Sequence, residues 1–73
     1  PTTNIEFQVA ESGFVSMKVY DIQGREVQTL VNENLNKGSY SINFNAAGLS
    51  SGTYFYKIVT SSFTDVKKMM LVK

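Results

Sequence analysis

Between Val19 and Val27 the chain reads Val19-Tyr20-Asp21-Ile22-Gln23-Gly24-Arg25-Glu26-Val27. That order spells strand, tight turn, strand. Asp21 fits the first corner of a type I turn, where its carboxylate accepts from the backbone N–H groups just ahead. Gly24 fits the position where the chain takes positive φ to rejoin a ladder, which is a glycine bulge. A type I turn followed by such a bulge is a common longer hairpin connection. A hairpin at this point leaves the flanking segments to be read as further strands packed around it.

The flanks carry that pattern. Asn4 to Val9 alternates strictly, with Ile5, Phe7 and Val9 on one face, as in a strand with one face buried and one wet. Ala10 to Gly13 reads as a turn, with Gly13 as its positive-φ residue. From Phe14 to Tyr20, the residues Val15, Met17 and Val19 share a face, and Ser16 and Lys18 point the other way. Arg25 to Val31 is a strand whose period breaks at Leu30 and Val31, so a bulge or bend is expected near Thr29. Asn32 to Gly38 reads as a polar loop with Leu35 as a plug on the core edge. Ser39 to Phe44 alternates again, with Tyr40, Ile42 and Phe44 inward. Asn45 to Gly52 is a second loop anchored by Leu49, with room for a short seventh strand between Asn45 and Leu49. Gly38 and Gly52, like Asp21 and Gly24, are read as structural turn residues. Thr53 to Thr60 is apolar on both faces, as suits a central strand. After a turn at Ser61, Ser62 and Phe63, the final strand runs from Val66 to Lys73.

No stretch holds helical spacing. Six strands separated by turn signals at roughly 8–14 residues are the mark of a sandwich or barrel. The expected fold is all-β: an immunoglobulin-like antiparallel β-sandwich of six or seven strands with Greek-key wiring.

Size makes core density matter. The 73 residues can hold one domain, residues 1–73, and a domain this small buries only about 60% of the surface its unfolded chain exposes. There is no Cys, so no disulfide contributes, and no His, the usual proton shuttle and commonest metal ligand. A net charge of +1 is too small to argue for a nucleic-acid partner. The start, Pro1-Thr2-Thr3-Asn4, shows neither Met nor a basic-then-apolar leader, and no segment is long and apolar enough for a transmembrane helix. The expectation is a fragment cut from a larger protein.

Three constellations invite a chemical reading. Asp21, Glu26 and Glu33 are a thin calcium set, because calcium takes roughly six to eight oxygens, and here the carboxylates alternate with Lys18 and Arg25. Tyr54, Phe55 and Tyr56 resemble a sugar-stacking platform. Adjacent rings on a strand, however, point to opposite faces. Arg25 with Glu26 reads either as a recognition patch or as an ordinary solvated ion pair. With no His or Cys, a nucleophile would need a Lys or carboxylate base, and no such spacing appears. No catalytic residue, metal site or cofactor is assigned.

The ordered set of short motifs resembles one family. It comprises Thr2-Thr3-x-Ile5-x-Phe7, Gly13-x-Val15, Tyr20-Asp21-x-x-Gly24-Arg25-Glu26-Val27, Leu30-Val31-Asn32 and Gly38-x-Tyr40-x-Ile42-x-Phe44. It continues with Leu49-Ser50-Ser51-Gly52-x-Tyr54-Phe55-Tyr56-Lys57 and closes on Lys67-Lys68-Met69. This resembles the C-terminal sorting domain, type A, of the type IX secretion system, also called the Por secretion system. The resemblance implies the last domain of a larger secreted protein, in transit through the periplasm and then secreted or displayed at the cell surface; a non-catalytic monomer is the expectation beside it. It implies two partners, the translocation machinery and a sortase-like surface peptidase that removes the domain before the cargo is released or attached to the surface. It also implies that the closing segment Lys67, Lys68, Met69, Met70, Leu71, Val72 and Lys73 matters for recognition. The module of flagellar hook-capping proteins uses a similar Tyr-Asp-x-x-Gly-Arg hairpin, but the Lys67-Lys68-Met69 ending favours the sorting family. The alternative is a carbohydrate-binding or structural immunoglobulin-like module attached to a larger enzyme.

Overall fold

Asp21 organises the central turn with both backbone and side chain. In the computed structural model, which describes residues 2–72, the Gly24 N–H donates to the Asp21 carbonyl and the Asp21 N–H donates to the Arg25 carbonyl, each at 2.9 Å. The Asp21 carboxylate accepts from the Gln23 and Arg25 N–H groups through Oδ1 and from Arg25 Nε through Oδ2, all at 2.9 Å. Gly24 takes φ 85°. An added Cβ there would meet nothing within 4 Å, so the demand for glycine is conformational and not steric. Gly24→Ala is expected to cost about 1–2 kcal/mol in urea unfolding, and Gly24→Asn less, because Asn tolerates the left-handed region.

The hairpin joins two of the six strands among the described residues: β1 (Thr2–Val9), β2 (Gly13–Asp21), β3 (Glu26–Leu35), β4 (Gly38–Asn45), β5 (Gly52–Val59) and β6 (Thr64–Leu71). They form two antiparallel sheets, β1-β4 and β3-β2-β5-β6. β2 and β5 are neighbours in the larger sheet although β3 and β4 lie between them in the chain. The chain therefore crosses to the small sheet and returns, as a Greek-key sandwich requires.

The alternation seen in the sequence decides what lies between the sheets. Val15, Met17 and Val19 of β2 are fully buried at the centre of the larger sheet. Val31 of β3 and Tyr54 and Ile58 of β5 flank them, and Ile5, Val9 and Phe44 close over them from the small sheet. Phe7 stacks on its cross-strand partner Tyr40, with ring centroids 5.5 Å apart. Two tyrosines pin the strand entrances: Tyr40 Oη donates to the Asn36 carbonyl at 2.6 Å and Tyr54 Oη to the Ser50 carbonyl at 2.7 Å. In each case the residue two before the tyrosine is a positive-φ glycine, Gly38 or Gly52.

Three sequence expectations need correction. Asn32 to Leu35 is not a loop but the second half of β3, paired with Gly13 to Ser16 of β2. Asn32, Glu33 and Asn34 are exposed there, so ladder pairing and not side-chain burial holds them, and their weak strand preference is overridden. Gly13 belongs to β2 opposite Leu35 and is not a positive-φ residue. No seventh strand forms between Asn45 and Leu49. That stretch is a turn in which the Leu49 N–H donates to the Ala46 carbonyl at 3.0 Å and Asn45 Oδ1 accepts from the Ala47 N–H at 2.9 Å. The broken period of β3 does mark irregularity: the register skips Leu30 between Val31 and Thr29, and skips Val27 between Gln28 and Glu26.

Candidate recognition surface

β6 is the outer strand of the larger sheet, with β5 on one side and, among the described residues, no strand on the other. Its register sets Lys67 opposite Tyr56, Lys68 opposite Phe55, Met69 opposite Tyr54, Met70 opposite Thr53 and Leu71 opposite Gly52. Strand alternation then divides the closing segment. Met69 and Leu71 are partly buried and pack on the core. Lys68 is exposed on the outer face, Met70 is 65% exposed and Val72, just past the strand, is 80% exposed. Lys67 shares the parity of Met69. It lines, with Ile5, Tyr56, Ile58 and Phe63, an open hollow of about 400 Å³ between β1 and the larger sheet. Lys73 lies outside the described residues. The described residues of that segment, Lys67 to Val72, are thus split, because alternate side chains of one strand cannot share a face.

The outer face of the larger sheet holds residues that the sequence alone does not connect. One row across the strands runs Glu26, Tyr20, Phe55, Lys68, and the next runs Thr29, Lys18, Lys57, Val66. Tyr20 and Phe55 are direct cross-strand partners, and so are Lys18 and Lys57. A shallow hollow of about 250 Å³ beside the central turn is lined by Tyr20, Ile22, Phe55, Lys57 and Val66 among others. Lys18 reaches Glu26 at 3.4 Å, and Glu26 also accepts from Thr29 Oγ1 at 3.0 Å. Alternation marks Lys18 and Lys57 as outward-facing. Only the β2–β5 pairing, between strands far apart in the chain, shows that they meet.

The other constellations come apart. Tyr54 is buried with its hydroxyl engaged, Tyr56 faces the hollow on the core side, and Phe55 faces outward. The three rings form no single platform. Glu33 pairs with Val15, at the far end of β2 from Asp21, and among the described residues no group of acidic side chains is placed to hold a metal ion. Arg25 and Glu26 each have a local partner, Asp21 and Lys18. Among the described residues no helix is long and apolar enough to cross a membrane.

The Asp21 carboxylate is held below the usual aspartate pKa, first by the hydrogen bond from the Arg25 N–H, then by the Arg25 side chain and the Gln23 N–H. A depressed folded pKa adds stability that is fully present above the unfolded pKa and is lost as pH falls through the lower, folded value. Melting temperature should therefore fall on acidification below the ordinary aspartate range. Asp21→Asn should flatten that part of the pH profile, read by circular dichroism melts between neutral and strongly acidic pH.

The family model described as secretion system C-terminal sorting domain matches residues 1–73. No curated protein matches. No solved structure matches either.

Proposed function

From the premise that this chain belongs to the C-terminal sorting domain family of the type IX secretion system, we propose that it is a non-catalytic address read at its closing strand. The observation that carries this reading is the place of β6. It is an edge strand whose outer side displays Lys68 and Met70, with Val72 exposed just past its end. An edge strand offers unpaired backbone groups to a partner strand, and its exposed side chains add selectivity. Lys at such an edge also discourages pairing with copies of the same chain. Met69 and Leu71 hold the strand on the sheet so that its other side stays presented.

In this reading the folded domain travels through the periplasm at the end of its cargo, and the outer-membrane machinery engages it there. A sortase-like peptidase then removes it at the surface. A reporter protein ending in this chain tests the proposal in a host with the secretion system. Wild type should reach the medium or the cell surface, and removal of residues 64–73 should leave the reporter in the periplasm. Undiminished export after that removal would refute the reading. Tyr54, Phe55 and Tyr56 lie on different faces, so these three rings do not support the carbohydrate-binding alternative.

A further inference from the structure

We infer that the docking surface extends beyond the closing strand, across the outer face of the larger sheet, and that it receives an acidic, partly apolar protein surface. The inference rests on the address reading and deepens it. Its centre is the cross-strand pair Tyr20 and Phe55, with Val66 beside them. Its rim carries Lys18, Lys57 and Lys68 and, on the acidic side, Glu26.

The lysines are the informative part. Lys18 and Lys57 are directly opposed, which sets their Cβ atoms about 5 Å apart, and Lys68 is the diagonal neighbour of Lys57 at about 7–8 Å. Like charges so placed weaken a sheet. Folding therefore gives no reason to gather them. Glu26 answers Lys18, whereas among the described residues no carboxylate lies within ion-pair distance of Lys57 or Lys68. An acidic partner would supply the missing counter-charge. The Phe55 and Tyr20 rings fit the apolar centre of such a contact, since aromatic anchors ringed by charge are the anatomy of protein–protein interfaces. A ligand bound by charge alone would leave these rings unused. The protein's net charge of +1 makes this concentration local and not a general excess of basic residues.

The test uses the reporter ending in this chain. Lys57→Glu with Lys68→Glu should lower the exported fraction at least about ten-fold, because like-charge juxtaposition at a contact is strongly unfavourable. Lys37→Glu, the same kind of substitution at one site in the β3–β4 connection, should leave export unchanged. A photo-crosslinking phenylalanine at position 55 should give a protein adduct in the cell envelope that the double variant loses. If the double variant melts early, Lys57→Gln with Lys68→Gln keeps the fold and should still lose the adduct. Normal export by the folded double variant, while removal of residues 64–73 still blocks export, would overturn the outer-face inference and leave the address reading standing. A protease-resistant lipid or polysaccharide adduct in place of a protein one would overturn it as well. Export that survives both changes would reject the address reading itself.

Discussion

Phe44→Ala should lower the unfolding free energy by about 3–5 kcal/mol. Phe44 is 2% exposed and is the largest fully buried side chain, closing the small sheet onto the larger one. Its removal leaves a cavity that Val15, Met17 and Val19 cannot fill, because they are fixed on the central strand. Domains have roughly 0.05–0.15 kcal/mol of stability per residue, so this loss is a large share of what a chain of this length has. No cysteine is present to hold the unfolded chain together. Urea titration should show the shift, and the melting temperature should drop by roughly 15–30 °C. Val27→Ala is the control. Val27 is 36% exposed and is the residue skipped in the β3 register, so its loss should move stability by about 0.5 kcal/mol or less. Equal effects at the two positions would mean that the core does not lie between the sheets.

The second large effect separates two adjacent methionines. Met69 lies on the core side opposite the buried Tyr54, whereas Met70 lies outside opposite Thr53 and accepts a 3.2 Å hydrogen bond from Thr53 Oγ1. Met69→Asp places a carboxylate against the edge of the core and should cost about 2–4 kcal/mol. Met70→Asp stays in water and should cost about 0.5 kcal/mol or less. Parallel urea titrations read both values. A Met70 variant as unstable as the Met69 variant would contradict the alternation of β6.

Much of this architecture was legible because a strand shows its period locally. The alternation of Ile5, Phe7 and Val9, and of Val15, Met17 and Val19, gave the core faces, and Asp21 with Gly24 gave the central turn. What failed was local signal without burial. Asn32, Glu33 and Asn34 look like loop because nothing in them is apolar, and only the partner strand β2 makes them extended. Gly13 is ambiguous in the sequence for the same reason. A glycine beside polar residues signals a turn unless pairing claims it.

For the proposed recognition surface, the sequence shows the closing strand but not which side chains share a face. The motif Lys67-Lys68-Met69 points to the closing strand only through the family resemblance, and a run of consecutive residues hides which side each one faces. Lys18 and Lys57 could not be joined from the sequence at all. Their meeting depends on the pairing of β2 with β5 across two intervening strands.

Removal of β6 also removes Met69 and Leu71 from the margin of the core, so lost export in that experiment has two possible causes. A folded variant isolates one of them. The deciding quantity is the exported fraction of a reporter ending in this chain with Met70→Asp and Val72→Asp, both changed on exposed side chains, alongside the melting temperature of the same domain. An unchanged melting temperature with the reporter retained inside the cell is the predicted result. Wild-type export from that folded variant would show that the displayed surface of the closing strand is not what the machinery reads.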